Sequence, residues 1–437
     1  MAEQTPIPGR QLGLAAATAL VMGTMIGSGV FLLPASLAPF GWNAVGGWLI
    51  TISGALVLAF VLARLTKAYP EAEGSAAVVH IAFGHVPAFL VAWIFLVSIP
   101  TGVVTIAAAA VSYASSLAPW IGDRPFVPAL LVVLLIWTFA FANLRGVRAA
   151  GRVQVVTTLL KLVPLVVVIV LAAGALAGGT GQVAPFDSAD ISVDALGGAA
   201  ALTLFALLGF ECACLAAARV RDPEVTVPRA TMWGTALTGL LYLTVSSAIA
   251  LMLPLAVAST SPAPFATFVE RYWDGGPASL VAVFAIVSCA GALNGWTLIQ
   301  GELTRGMAVQ GLLPGWLGVT DERGTPRRAL IVGAVVASIL ALVNSSREVA
   351  DLFEFLLLLT TSATLWFYLA CALAALRLNV VRPLAALGAV FAAGTLWGAG
   401  IGASGLSLVL MVAGLPLYWW ARRERAVKRG EDRYSAA

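Results

Sequence analysis

Long apolar stretches recur along almost the whole chain, and they constrain its fold more than any other feature. Each is close to the roughly 20 residues that an α-helix needs to cross a bilayer, and they run from Leu12 to Trp420. Of the 437 residues, 60% are hydrophobic and only 11% are charged, whereas soluble domains carry about a quarter charged residues. We therefore expect an all-α polytopic membrane protein with twelve transmembrane helices, at about 12–34, 43–65, 84–118, 126–144, 153–177, 197–218, 229–253, 277–306, 328–344, 351–376, 383–402 and 404–421.

The distribution of positive charge predicts the orientation. If both termini are cytoplasmic, 21 of the 25 Lys and Arg residues lie inside, three lie outside at Arg124, Arg271 and Arg347, and Lys161 is left within a span. Cytoplasmic loops are enriched in Lys and Arg, and one missed helix would reverse half of the loops. The asymmetry favours twelve spans, a multi-pass protein of the inner (plasma) membrane, and cytoplasmic termini.

The net charge of +4 follows from this orientation. No basic face stands apart from the loops, so nucleic-acid binding is not expected, and the basic C-terminal tail most simply contacts anionic membrane lipids. All four cysteines lie in apolar stretches, without metal-ligand spacing or a disulfide framework. Neither a metal nor another cofactor is therefore expected. The cysteines are Cys212, Cys214, Cys289 and Cys371.

Two spans contain glycines that interrupt a helix. The first has Gly27-Ser28-Gly29 at mid-span, and the sixth has Gly209 before Glu211. Each glycine costs about 1 kcal/mol relative to alanine in a helix, and non-helical backbone survives in a bilayer only where it lines a cavity or is buried in protein. A helix-packing notch is the alternative. The separation of five spans is typical of a five-plus-five inverted repeat whose substrate site lies between broken helices 1 and 6.

Such a pair of breaks suits a zwitterion. A half-helix that starts at Ser28-Gly29 directs backbone N–H groups and the positive end of its dipole at a carboxylate. The half-helix that ends near Leu208-Gly209 offers carbonyl groups to an ammonium. Glu211 is a costly charge near mid-membrane and marks a functional position by default.

The run Gly27-Ser28-Gly29-Val30-Phe31-Leu32-Leu33-Pro34 resembles the first helix of the amino acid–polyamine–organocation superfamily, where the glycine–serine–glycine binds the substrate carboxylate. The resemblance covers about 10–420 and implies the inverted-repeat fold with alternating access. Further matches are Pro70-Glu71-Ala72-Glu73-Gly74, Arg152-Val153-Gln154, Gly209-Phe210-Glu211, Asp222-Pro223, Val227-Pro228-Arg229, Gly295-Trp296-Thr297-Leu298 and Gly311-Leu312-Leu313-Pro314.

From the resemblance we expect a single transmembrane domain over 12–421. It would hold a first repeat at about 12–177, a second at about 197–376 and two extra helices at 383–421. A cytoplasmic N-terminal tail, 1–11, and a basic cytoplasmic C-terminal tail, 422–437, would flank this domain. The chain offers no sequence signal for or against a homodimer.

The resemblance also implies a set of substrate-binding residues. Similarity to arginine/agmatine antiporters of the superfamily places Phe205 at an aromatic gate, Trp296 where a tryptophan stacks on substrate, and Glu211 where a glutamate senses protons. Without the resemblance, a tryptophan at position 296 is more often a packing residue than a ligand contact. The full predicted substrate-binding set is Thr24, Ile26, Gly27, Ser28, Gly29, Ser98, Ile99, Phe205, Leu208, Gly209 and Trp296.

Lys161 resembles the fifth-helix lysine of sodium-independent amino-acid exchangers, which lies nine residues after the position of Arg152. There an ammonium group occupies the space of a sodium ion. We expect Lys161 to bond carbonyls of the broken first helix near Thr24–Gly27 and a polar group on helix 8, with Lys161 and Glu211 as the candidates for coupling. The alternative is a lysine that snorkels to the membrane surface.

The predicted function is sodium-independent amino-acid transport by alternating access, as a permease, exchanger or proton-coupled carrier. A neutral substrate is favoured, because the predicted walls are mostly apolar and the stretch 96–102 lacks polar groups that would hold a guanidinium. A cationic amino-acid or polyamine antiporter is the alternative, for which Glu211 argues. A major-facilitator carrier would have a long central loop, but 220–228 is short. An enzyme is not expected, because no catalytic constellation is visible.

Overall fold

The computed structural model describes residues 13–69, 75–124, 126–145, 147–210, 220–274, 277–322, 324–345 and 349–423. Within these ranges the chain is helical and forms no β-sheet. The helices of nine residues or more are α1 (Leu14–Met25), α2 (Ser28–Leu37), α3 (Trp42–Ala68), α4 (Ser75–Phe83), α5 (His85–Leu117), α6 (Val127–Leu144), α7 (Val147–Ala177), α8 (Val193–Leu207), α9 (Pro223–Met252), α10 (Pro264–Tyr272), α11 (Ala278–Val309), α12 (Arg327–Val343), α13 (Val349–Arg377), α14 (Arg382–Gly398) and α15 (Gly400–Val412).

Eight helices of the described chain are long and apolar enough to cross a membrane, and the bent pair α1–α2 makes nine. α8 is apolar but has only 15 residues. The prediction of an all-helical polytopic membrane protein is confirmed at this level. The eight single spans are Trp42–Ala68, His85–Leu117, Val127–Leu144, Leu160–Ala177, Glu224–Met252, Ala278–Val309, Asp351–Arg377 and Gly400–Arg423.

The predicted interruption of the first span is present. α1 ends at Met25, α2 begins at Ser28, and the two axes meet at 49°. Gly27 lies between them with an extended backbone, at φ −138° and ψ −140°. The first turn of a helix leaves its N–H groups without intrahelical partners, and the last turn leaves its carbonyl groups without them. The break therefore presents both kinds of group within a few residues.

The sixth predicted span also stops being helical where its glycine occurs. α8 ends at Leu207, Leu208 is extended, and Gly209 has φ +112°. A residue with a side chain rarely adopts this φ, so glycine serves a conformational purpose here. The continuation through Glu211 lies outside the described residues.

Small residues allow the two broken spans to pack closely. A Cβ atom on Gly29 would lie 2.8 Å from Cα and Cβ of Ala206 in α8, and one on Gly27 would lie 2.9 Å from Cβ of Ala292 in α11. α1 packs mainly against α9, while α2 packs against α8, α9 and α5. Without a hydrophobic driving force between helices in lipid, this close packing holds the half-helices in place.

Candidate substrate site between the broken helices

A cavity lies where the break between α1 and α2 meets the end of α8. Helices α5, α11 and α13 complete its wall. Its lining residues are Thr24, Met25, Gly27, Ser28, Gly29, Ser98, Ile99, Gly102, Ile106, Phe205, Ala206, Leu208, Trp296, Thr360 and Thr364. The structure therefore brings together residues that are up to about 340 positions apart in the sequence, as an interior ligand site between helices requires.

Nine of the eleven predicted substrate-binding residues line this cavity. The other two lie beside it: Ile26 is fully buried at the end of α1, and the carbonyl oxygen of Gly209 lies 3.5 Å from Oγ1 of Thr24, whose hydroxyl donates to the carbonyl of Val21 at 2.8 Å. The two breaks therefore lie side by side. Their role in binding a substrate stays a prediction, because the cavity shows where the residues lie and not what they hold.

The start of α2 lies at the cavity. Gly27 precedes the helix and provides no side-chain cap, so the first N–H groups of α2 have no capping oxygen from it. Ser28 and Gly29 line the cavity at this point, and the buried Ser28 hydroxyl has no hydrogen-bond partner within the described chain. Backbone N–H groups and the helix dipole together favour a carboxylate at such a position.

Hydroxyl groups from α5 and α13 form a part of the wall that the sequence prediction missed. Thr360 and Thr364 of α13 line the cavity with Ser98 of α5. Oγ1 of Thr360 donates to Oγ1 of Thr101 at 2.8 Å, which links the two helices. The signal that could have found these residues is the cluster Thr360-Thr361-Ser362-Ala363-Thr364 within a predicted span, since polar side chains in a span commonly face the protein interior.

Aromatic side chains bound the cavity on two helices. Phe205 of α8 lines it and meets the ring of Phe353 of α13 edge to face, with centroids 6.3 Å apart. Trp296 of α11 lines it and is partly buried. The gate and stacking roles that the resemblance implies for these two residues stay predictions, and the ring of Phe353 was not foreseen.

Lys161 lies in α7 and is fully buried, which rules out a side chain that snorkels to the membrane surface. Its Nζ donates to the carbonyl of Gly23 at 2.9 Å. This contact lies one residue before the segment Thr24–Gly27, near which it was predicted. The reason is that α1 stays helical to Met25, so the carbonyls left over at its end begin earlier than the unwound segment. The hydroxyl of Tyr242 donates to the last of them, that of Met25, at 2.9 Å.

A polar partner of Lys161 on helix 8, which corresponds to α11, stays a prediction. The second predicted coupling residue, Glu211, lies outside the described residues. In the part of the chain that the structure describes, no group of three or more His, Cys, Asp or Glu side chains could hold a metal ion.

Comparison with known proteins assigns the family. The amino acid permease profile matches residues 12–425. The chain is 32% identical to the cadaverine/lysine antiporter of Escherichia coli K12, over 79% of this chain and 78% of the relative. It is 26% identical to the putrescine transporter PotE of Haemophilus influenzae and to that of Escherichia coli K12, over 79% of each chain.

A family match that spans the whole predicted transmembrane domain, 12–421, confirms the resemblance drawn from the helix-1 motif. It also confirms that the protein is a transporter and not an enzyme. The chain belongs to the amino acid permease family of the amino acid–polyamine–organocation superfamily.

Proposed function

We propose that the protein exchanges a cationic amino acid for a diamine across the inner membrane, with lysine and cadaverine as the substrate class. The observation that carries the proposal is the 32% identity to a cadaverine/lysine antiporter over 79% of the chain. Relatives named as putrescine transporters point to the same kind of substrate. Together they support the cationic alternative better than the neutral preference drawn from the apolar walls.

The chemistry of the cavity is compatible with both exchange partners. Lysine carries a carboxylate, which the N–H groups at Ser28-Gly29 would bind, and a distal ammonium with three donors. Those donors would meet hydroxyl oxygens of Ser98, Thr360 and Thr364. The methylene chain that lysine and cadaverine share would lie against the apolar cavity walls. Cadaverine lacks the carboxylate, so the α2 N-terminus would matter more for lysine.

The fold proposed for this activity is the twelve-span, five-plus-five inverted repeat within a domain of 12–421. Alternating access would proceed around broken spans 1 and 6, with both termini cytoplasmic. Support comes from the observed break between α1 and α2, from the end of α8 at Leu207, two residues before Gly209, and from the asymmetry of Lys and Arg. Lys161 would take the place of a sodium ion, and Glu211 would supply the carboxylate that attracts an ammonium.

A counterflow assay in proteoliposomes tests this proposal. Vesicles loaded with unlabelled cadaverine should accumulate labelled lysine, and unloaded vesicles should not, because exchange requires a substrate on each side. Excess lysine, cadaverine or putrescine should compete with labelled lysine, whereas leucine and methionine should not. Competition by leucine and methionine without competition by diamines would overturn the cationic proposal in favour of a neutral carrier.

The hydroxyl wall gives a second expected result. Thr360→Val keeps the shape of the side chain and removes the oxygen that lines the cavity. Because a hydrogen bond to a charged group contributes about 1.5–3 kcal/mol, we expect the KM for cadaverine to rise about tenfold or more. Thr361→Val is the matched control, since Thr361 is buried on the same helix, donates to the carbonyl of Leu357 at 2.9 Å and does not line the cavity. Equal KM values for the two variants would exclude a role for the Thr360 hydroxyl.

A further inference from the structure

Two buried asparagines join α6 to α11 on the side of α11 away from the cavity. Asn143 and Asn294 are 1% and 2% exposed. Nδ2 of Asn143 lies 3.1 Å from Oδ1 and 3.3 Å from the backbone carbonyl of Asn294. It also donates to the carbonyl of Phe139 in its own helix at 2.8 Å. One carboxamide therefore ties the end of α6 to both the side chain and the backbone of α11.

Asn294 lies on the opposite side of α11 from two residues near the cavity. At 3.6 residues per turn, Ala292 and Trp296 each lie about 200° around the helix axis from Asn294. Trp296 lines the cavity, and a Cβ atom on Gly27 would lie 2.9 Å from the Cβ atom of Ala292. The asparagine pair therefore contacts the face of this turn of α11 that is opposite to the face lining the cavity.

α6 is held in position by polar contacts with two other helices. At its middle, Nε1 of Trp137 bonds Oγ of Ser338 in α12 at 3.1 Å. The helix therefore has one polar attachment to α11, which bears cavity residues, and another to α12, which bears none of the cavity lining residues. Interhelical hydrogen bonds of this kind fix helices that lipid alone would not orient.

We propose that Asn143 is a positioning residue for transport: through Asn294 it sets the rotation of α11, and so the placement of Trp296 and Ala292 against the substrate and the broken first span. The proposal rests on the substrate site assigned above. Removing Asn143 would let α11 rotate or slide by a fraction of an ångström, which moves the wall without removing any group that touches substrate.

Exchange kinetics of Asn143→Leu test the proposal, with the best substrate of the competition screen as the probe. We expect KM to rise about three- to tenfold for the loss of these bonds, with a smaller change in kcat. Trp137→Phe is the matched control: it removes the other polar attachment of α6 and should lower the melting temperature while leaving KM unchanged. Asn294→Ala removes the Oδ1 acceptor but keeps the backbone carbonyl, and its KM should lie between those of Asn143→Leu and the unmodified protein.

The KM values of these variants support or overturn the positioning role of Asn143. A raised KM in Asn143→Leu with an unchanged KM in Trp137→Phe supports the proposal. Equal KM shifts in both variants would show a general loosening of α6 and overturn it, as would an unchanged KM in Asn143→Leu. If Asn143→Leu does not insert, Asn294→Ala against Trp137→Phe makes the same comparison. Because the probe is taken from the screen, a failure of lysine and cadaverine as substrates would refute the proposed function alone.

Discussion

Replacing Gly29 by valine is expected to abolish exchange while leaving the protein inserted in the membrane. Even the first atom of a side chain would lie 2.8 Å from Cα and Cβ of Ala206, and the backbone of α8 cannot yield as a flexible side chain would. Valine adds a branched group to that overlap. The start of α2 would be displaced, and with it the N–H groups proposed to bind the carboxylate. Counterflow of labelled lysine should fall to background.

Gly174→Val is the control for Gly29→Val. Gly174 lies in the transmembrane part of α7, and a Cβ there would meet nothing within 4 Å, so this variant should retain exchange. Size-exclusion profiles and circular dichroism should show that both variants are folded. Full activity of Gly29→Val would remove the helix-1 break from the substrate site.

Gly27 allows a rescue that Gly29 does not. The close contact of a Cβ on Gly27 is with the methyl group of Ala292 at 2.9 Å, and the next atom is 3.9 Å away. Gly27→Ala should therefore impair exchange, and the pair Gly27→Ala with Ala292→Gly should restore much of it. No restoration would mean that Gly27 matters for its conformation and not for its packing against α11.

Loss of the Lys161 ammonium is expected to lower turnover far more than substrate affinity. Lys161 donates to the carbonyl of Gly23, which ties α7 to the end of α1. Lys161→Met retains most of the volume and removes the charged donor. Since a charged hydrogen bond contributes about 1.5–3 kcal/mol, kcat should fall about ten- to hundredfold, and the affinity measured by competition should change little. A large loss of affinity with normal turnover would contradict a tether between conformational states.

A sodium test separates this role from an ordinary structural one. If the ammonium takes the place of a sodium ion, exchange by the unmodified protein should be the same after sodium is replaced by choline. Lys161→Arg serves as the second variant, because it keeps the charge with a bulkier group that does not fit the same contact. An imposed sodium gradient that drives uptake, or unimpaired Lys161→Met, would end the hypothesis and leave the family assignment standing.

Sequence patterns anticipated the part of the site that comes from single spans. The glycines of the first and sixth spans and the lysine within a span were recognisable from the residues themselves, whereas Phe205 and Trp296 were identified through the family resemblance. A glycine that interrupts a helix in the middle of a span is tolerated only where the freed backbone groups find partners. A lysine in the middle of a span is costly and marks a functional position by default. The part of the wall contributed by Thr360 and Thr364 was missed. A threonine hydroxyl in a span can bond a carbonyl of its own helix, and one sequence does not tell which face of α13 turns toward the protein interior.

The all-helical, membrane-spanning character of the chain and the interruptions of its first and sixth predicted spans could be predicted from the residues alone. The bilayer imposes both: it sets the length of an apolar helix, and it leaves no water to satisfy an interrupted backbone. Three features depend on the three-dimensional packing: Gly23 is the acceptor for the Lys161 ammonium, Thr360 lines the cavity, and Asn143 bonds Asn294 of α11. These depend on how helices rotate against one another. In lipid that rotation is set by close packing of small residues and by single interhelical hydrogen bonds, whose partners lie more than a hundred residues apart in the chain.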